Sequence, residues 1–398
     1  MPDSLAQHTR PDGAGFPYAL PAVYAALFVA PGFYLPFFPV FLAAAGFSPE
    51  AIGLAIGIPI GVRLLANPVA GILSDRLGRP RRFLAILGVG TALVFGLMVL
   101  FPSPSAILFL VAASTLFWGP SFPLTDALAV RLARERGIDY GRARLWGSVS
   151  FIAANVGLGA ALEVLPISSI VIAIAASCLL FSISVLLLLP RLEKPPGAEM
   201  AAPPKITRRV VLAVFAAACV QSSHAALYTF GSVHWNASGI SSTMIGFLWG
   251  IGVAAEVVVF YFATVALKRF SAIGLIFIGG VSSVLRFALT ALDPPQFLLI
   301  PLMMMHAFTF TATFLGMVAL AGESGGKGAQ GRAQTFASTA VSIAMLCATF
   351  AAGPLYARYG AYAFFGSAVI AALGCVLAAA AWLQPQSADV GGKAVEPS

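Results

Sequence analysis

The chain has 398 residues, 59% of them hydrophobic and only 10% charged, with a mean hydropathy of +0.93 and a formal net charge of +8. A soluble domain carries about 25% charged residues, so this balance excludes a soluble, disordered or purely amphipathic protein and points to an integral membrane protein. Apolar runs of about 20 residues, the length that crosses a bilayer as a helix, recur twelve times. In chain order the predicted spans are 19–44, 50–73, 83–101, 105–132, 144–164, 167–189, 210–235, 242–267, 272–291, 295–320, 335–357 and 360–383. Residues 1–17 contain Asp3 and Asp12 with proline and glycine and no apolar core, so no cleavable signal peptide is expected.

The basic residues then sort by loop. One alternating set of connections carries Arg76, Arg79, Arg81, Arg82, Arg131, Arg134, Arg136, Arg142, Arg144, Arg191, Lys194, Lys205, Arg208, Arg209, Lys268, Arg269, Lys327 and Arg332, and the other carries only Arg358. By the positive-inside rule this places both termini and the even-numbered loops in the cytoplasm, as expected of a multi-pass protein of the bacterial inner membrane. The positive charge is therefore a topology signal, and no nucleic-acid partner is expected. Cys178, Cys219, Cys347 and Cys375 fall inside apolar segments and read as packing residues without a disulfide framework.

A short phrase is written twice, 193 residues apart. Ile52-Gly53, Gly57-Ile58 and Arg63 are answered by Ile245-Gly246, Gly250-Ile251 and Glu256, the charge reversed. Gly46-Phe47-Ser48 is answered by Gly239-Ile240-Ser241 at the same offset, and Gly141-Arg142-Ala143-Arg144 by Gly331-Arg332-Ala333-Gln334 at an offset of 190. The one long polar connection runs from Pro190 to Arg209. The expected organisation is a tail at 1–18, a six-helix bundle at 19–189, a linker at 190–209, a second bundle at 210–383 and a tail at 384–398. Such repeats mark secondary transporters, with the solute site near the midplane between the repeats. Gly53, Gly57 and Gly61, four apart, read as a helix-packing seam.

Between the second and third spans stands Gly71-Ile-Leu-Ser-Asp75-Arg76-Leu-Gly78-Arg79-Pro-Arg81-Arg82. This resembles the signature loop of the major facilitator superfamily: glycine, acid, base, glycine, then a basic run. The resemblance implies an all-α membrane fold of twelve transmembrane helices in two pseudo-symmetric bundles. It also implies a cytoplasmic latch at Asp75, Arg76 and Arg79 that stabilises the outward-facing state, with Arg131 or Arg142 as partner. The equivalent Lys268-Arg269-Phe270 has lost the glycines and the acid.

Further segments look like the 3-phenylpropionate permease branch, a relative of the lactose/proton symporters. They are Tyr140-Gly-Arg142-Ala-Arg144-Leu-Trp146-Gly-Ser148, Leu124-Thr-Asp126-Ala, Ser223-His224, Tyr228-Thr-Phe230, Ala255-Glu256, Leu285-Arg286 and Met305-His306-Ala-Phe. That kinship implies proton symport. One departure stands out: the lactose-type acid one turn after the tenth-span histidine is here Thr309. Residues 147–162 lack the proline of the fifth-span motif of drug/proton antiporters, which weighs against efflux. Gly322–Gly328 departs from a phosphate-binding loop at Ala321 and Gly328, with no strand before it, so no ATP is implied. Asn236-Ala-Ser238 fits a glycosylation triplet on weak grounds.

Few charges lie within the spans: Arg63, Asp126, Glu256 and Arg286, with His224 and His306 beside them. A charge at the bilayer centre costs roughly 2.5–3.5 kcal/mol on insertion scales, so each must face a partner or an aqueous cavity. Helical spacing puts Trp249, Gly252, Glu256 and Phe260 on one face of the eighth span, and Gln221, His224 and Tyr228 on one face of the seventh. It likewise aligns Ser282, Arg286 and Thr290 in the ninth and His306, Thr309 and Thr313 in the tenth.

The expected proton-coupling set is Glu256, Asp126 and His306. The expected substrate set is Arg63, Arg286, Tyr34, His224, Tyr228, Trp249 and Trp118, with Phe37, Phe38 and Phe122 as aromatic neighbours. Gating is expected of Asp75, Arg76, Arg79, Arg131, Arg142 and Arg144. Substrate that takes an arginine from Glu256 leaves the acid without a partner and favours its protonation, so solute and proton cross together. Two buried arginines favour an anionic solute such as an aromatic carboxylate. A sugar or nucleoside symporter is the alternative, then a proton-coupled exporter, then a membrane enzyme or sensor, disfavoured by the lack of a nucleophile elbow or metal-spaced His/Cys cluster. No cofactor or metal is expected, and the chain is expected to act as a monomer with a small solute, protons and the lipid bilayer as its partners. Arg63 and Glu256 should face one cavity from opposite bundles, with Glu256 pairing either Arg63 or Arg286.

Overall fold

Helix starts are written in polar caps followed by apolar runs. Ser48 accepts the N–H of Ala51 (3.3 Å) with Pro49 in the first turn, Asp139 that of Arg142 (3.0 Å), Ser241 that of Met244 (3.2 Å) and Ser271 that of Gly274 (3.1 Å). The ends of two long helices fall at Gly78 and Gly137, whose φ values of +62° and +67° only glycine adopts readily. The computed structural model describes residues 18–190, 207–323 and 329–385.

Among those residues twelve helical columns run in order: α1 Ala19–Ala44, α2 Pro49–Leu77, α3 Pro80–Leu100, α4 Pro104–Arg136, α5 Tyr140–Ala161, α6 Ser169–Leu188. They continue as α7 Arg208–Ala237, α8 Ser242–Tyr261, α9 Ala272–Ala291, α10 Gln296–Gly322, α11 Ala329–Tyr359 and α12 Ala363–Trp382. Ten stretches are long and apolar enough to cross a membrane; the last, Gly331–Trp382, is broken at Gly360–Tyr362 into α11 and α12, and α5 is less apolar than the rest. The all-α architecture is as expected. Several helices run one or two turns past the expected spans: α2 reaches Leu77, α4 reaches Arg136 and α11 begins at Ala329. In α2 and α4 hydropathy ends where charge begins but the helix does not, because basic residues in a last turn suit the helix dipole.

Two helices depart from α geometry. A π turn spans Leu227–Gly231 in α7 and another Ala307–Ala312 in α10. A π turn widens the helix locally and is frequent at functional sites.

Within the first half α1 packs on α5 and α6, α3 on α4 and α6, and α2 on α4; within the second α12 packs on α7 and α9, α11 on α7, and α10 on α8 and α9. The linker residues 191–206 with Arg191, Lys194 and Lys205, the loop residues 324–328 with Lys327, and both tails beyond 18 and 385 lie outside the described residues.

The halves meet chiefly through two crossings, α5 on α8 and α2 on α11. Both are glycine seams. A methyl group added at Gly246 would collide with the carbonyl oxygen of Asn155, and one at Gly159 with that of Ser242. In the other crossing a Cβ at Gly53 would lie 3.2 Å from the backbone of Thr349 and Gly353, one at Gly353 would lie 2.9 Å from Glu50, and one at Gly57 would strike the Phe350 ring. The doubled phrase thus supplies one side of each crossing. Partners repeat too: Gly159 on Ser242 mirrors Gly353 on Pro49, at offsets of 194 and 193.

These approaches lie on the half of each helix remote from the basic loops. Toward the basic end, Leu145 and Trp146 of α5 and Val258 and Tyr261 of α8 are exposed. The two crossings are thus closely packed on the far face.

Candidate functional site

Two cavities lie between the halves. The larger, about 340 Å³, is lined by Pro31, Tyr34, Leu35, Ile56, Pro59, Ile60, Arg63, Ser114, Thr115, Trp118, Gly119 and Phe122 of the first half and Tyr228, Met345 and Thr349 of the second. Tyr34 and Trp118 meet edge to face at 4.9 Å between ring centroids, and Trp118 lies 6.2 Å from Phe122. Arg63 faces this space with its stem against the bare Cα of Gly119, where a Cβ would stand 2.6 Å from Cγ. Its Nε donates to the carbonyl of Pro59 one turn back (3.3 Å), and among the described residues no ion pair joins it. The Ser114, Thr115 and Thr349 hydroxyls each donate to a carbonyl of their own helix, at 2.8, 3.0 and 2.7 Å. Phe37 and Phe38, expected as pocket neighbours, are instead 1% and 0% exposed in the core.

The smaller cavity, about 170 Å³, belongs to the second half except for Leu35, and includes Tyr228, Trp249, Glu256, Arg286, Met303, His306 and Phe310. Glu256 pairs with neither arginine. Its Oε1 lies 2.9 Å from His306 Nε2. Arg286, 1% exposed, donates through Nη1 to His306 Nδ1 (3.0 Å) and to the Thr309 hydroxyl (3.1 Å), and through Nη2 to the sulfur of Met303 (3.3 Å).

The hydrogens in this cluster follow from what each atom can do. A guanidinium only donates, so His306 Nδ1 is the acceptor, its Nε2 carries the hydrogen, and that hydrogen goes to Glu256. Across the cluster, His224 Nδ1 lies 3.1 Å from the Gln221 carbonyl, which only accepts, and His224 Nε2 lies 2.9 Å from Thr309 Oγ1. His224 therefore donates from Nδ1 and accepts the Thr309 hydrogen, leaving the Thr309 oxygen free to accept from Arg286. One chain of hydrogen bonds runs from Gln221 through His224, Thr309, Arg286 and His306 to Glu256. The two π turns make it fit, one carrying Tyr228 and the other Thr309 and Phe310. Thr309→Val keeps the shape but strands the buried groups on both sides. A loss of about 1–3 kcal/mol is expected, read as a lower midpoint of thermal unfolding in detergent.

Leu35 and Tyr228 line both cavities. The Tyr228 hydroxyl stands 3.4 Å from His306 Nε2, and its ring lies 5.9 Å from Trp249, whose indole N–H is taken by Ser232 at 2.8 Å.

Asp126 is held apart from this cluster. It accepts from Tyr24 (2.6 Å), from Tyr140 (3.1 Å) and from Arg144 Nη1 at both oxygens (2.7 and 2.9 Å). Arg144 also lies over the rings of Tyr24 and Phe28. Asp126 follows Gly119 and Phe122 along one face of α4, so this pair stands about 10 Å nearer the basic end than Arg63.

Asp75, Arg76, Arg79 and Arg142 are exposed on the basic surface, and among the described residues no ion pair joins Asp75 to Arg142. Arg131 bonds Glu135 at 2.7 Å. Sequence reasoning had no signal for Tyr24, an uncharged aromatic in an apolar helix, or for Met303 and Leu35.

The profile of the MFS_1 like family matches residues 18–367. The chain belongs to the major facilitator superfamily. A relative from Escherichia coli named "Probable 3-phenylpropionic acid transporter" is 28% identical over 87% of this chain and 93% of its own length. The maltose permease of Geobacillus stearothermophilus is 29% identical over 69% of this chain and 71% of its own. Among solved structures, the nucleoside transporter NupG superposes with a TM-score of 0.77 at 16% identity, covering 92% of this chain and 98% of that one. A D-xylose-proton symporter does so with a TM-score of 0.69 at 14%, covering 92% and 97%. At such identities the structures speak to the fold alone. As a major facilitator protein, the chain is a multi-pass membrane transporter of a small molecule and not an enzyme.

Proposed function

We propose that this transporter is a symporter that carries an aromatic carboxylate and a proton together across the bacterial inner membrane, as a monomer, with both termini and the basic loops in the cytoplasm. The observation that carries this reading is Arg63. It is a cation without an acid partner, in a cavity walled by Tyr34, Trp118, Phe122 and Tyr228, where the Ser and Thr hydroxyls are already engaged. A carboxylate satisfies the guanidinium by two parallel hydrogen bonds, and an aryl group suits the ring-lined wall. The name of the Escherichia coli relative supports the same class.

Coupling takes a different route from simple competition for an arginine, since Arg63 has no acid to give up and Glu256 leans on His306. Tyr228 stands between the cavities. Solute in the Arg63 cavity presses on Tyr228, whose hydroxyl competes with Glu256 for the His306 Nε2 hydrogen. Glu256 loses its donor and takes a proton. With an anion and one proton moving together the cycle is electroneutral.

The test is flux of 3-phenylpropionate in proteoliposomes with internal pH recorded. Symport acidifies the side the solute enters; an exporter moves protons the opposite way, and a sensor moves none. Arg63 is exposed to the open cavity, so its pair with a carboxylate is screened by solvent and contributes about 1 kcal/mol. Arg63→Gln is therefore expected to raise half-saturation roughly five-fold, with Arg63→Lys in between. Unchanged half-saturation in Arg63→Gln would exclude the Arg63 site.

A further inference from the structure

The two glycine crossings that close the far face differ in one respect. In the α5–α8 crossing, Glu163, just past the end of α5, reaches the other half. Its Oε1 accepts the backbone N–H of Thr243 at 2.9 Å and the Thr243 hydroxyl at 3.2 Å. Thr243 is the second residue of α8, where N–H groups lack helical partners and the helix dipole favours an anion. Ser241 serves Met244 from within the same half, so this helix start is capped from both halves at once.

Among the described residues the α2–α11 crossing has no such bridge. The position equivalent to Thr243 is Glu50, an acid of α2 itself in its own first turn, and the position equivalent to Glu163 is Ala357, which offers no side-chain acceptor. Only one of the two arms is tied.

A second observation lies in the tied arm. Asn155 is 0% exposed where α5 meets α8, and neither its Oδ1 nor its Nδ2 has a hydrogen-bond partner among the described residues. An unsatisfied buried amide favours whatever rearrangement gives it a partner, and parting this crossing does so.

We infer that Glu163 is a gating residue: a carboxylate latch from the first half onto the start of α8 that holds the far face shut against the opposing preference of Asn155. The inference rests on the symport reading proposed above, taken to work by alternating access, with the two faces opening in turn. Glu163 is exposed, so the latch is modest and weakens with salt.

The test uses the full chain in nanodiscs, its four native cysteines replaced by alanine, with spin labels at Ile167→Cys and Ala237→Cys on the far face. The separation is read by pulsed electron spin resonance. Glu163→Ala is expected to raise the separated population about five-fold, the scale of a charged hydrogen bond discounted for exposure. Glu163→Gln and Thr243→Ala, which each keep part of the contact, should raise it less, and Asn155→Leu should lower it. Two populations that Glu163→Ala leaves unchanged, or shifts toward the closed one, overturn the latch alone. A single distance that no solute, pH or variant moves overturns the alternating-access reading beneath it.

Discussion

Replacing Glu256 by glutamine is expected to abolish uphill uptake while leaving solute exchange in place. The amide keeps the shape of the carboxyl and an oxygen for the Nε2–H of His306, 2.9 Å from Glu256 in the native protein, but it cannot carry a proton between the two faces. Proteoliposomes with a pH gradient of about two units give the sharpest reading. Each unit is worth about 1.4 kcal/mol per proton, so one proton per solute accumulates it roughly 100-fold. The Glu256→Gln variant should level near one-fold, with exchange of labelled for unlabelled solute at near-native rates. Accumulation at the native level would show that the proton travels elsewhere, and Asp126 would be the next group to examine. Because an anion and one proton cross without net charge, an imposed membrane voltage at equal pH should drive neither the native protein nor the variant.

The second large effect is expected at the seam. A side chain at Gly246 meets the backbone of Asn155 and not the flexible end of a neighbouring residue, so nothing nearby can give way cheaply. Gly246→Leu should hold the α5–α8 crossing apart. Overpacking of about 3 kcal/mol, the upper part of the usual range, moves a two-state balance by roughly 100-fold. The expected phenotype is binding without transport: solute retained in equilibrium dialysis, net flux lost. Native flux in Gly246→Leu would mean that the far face need not close during the cycle.

How much of this was legible from sequence depends on what each residue reveals alone. Arg63, Glu256 and Arg286 announce themselves as charges in apolar runs, and Gly53, Gly57 and Gly61 as a packing seam, which the structure sets against Thr349, Gly353, Phe350 and Leu346; that Gly246 and Gly250 form a second seam was not read from sequence. Pairing was not legible. His306 stands between Glu256 and Arg286 because α8, α9 and α10 converge, and no spacing within one helix encodes that. The π turns were hidden for another reason: one extra residue in an apolar helix leaves the composition unchanged, yet it decides where Tyr228 and Thr309 point. Glu163 gave no signal in the sequence, since its partner lies 80 positions away.

The repetition in the seam has a consequence for descent. Each half contributes one glycine-phrase helix, α2 or α8, and one receiving helix, α5 or α11, and the two crossings repeat matching glycine contacts with the halves exchanged. A single half therefore carries both complementary faces of the contact, as a protomer does in an isologous dimer. An ancestor of one half could have built this closure from two copies of itself, every substitution counting twice. Fusion released the copies from that constraint. One arm could then acquire the carboxylate of Glu163 while the other kept Ala357, and Arg63 could stand where its twin became Glu256.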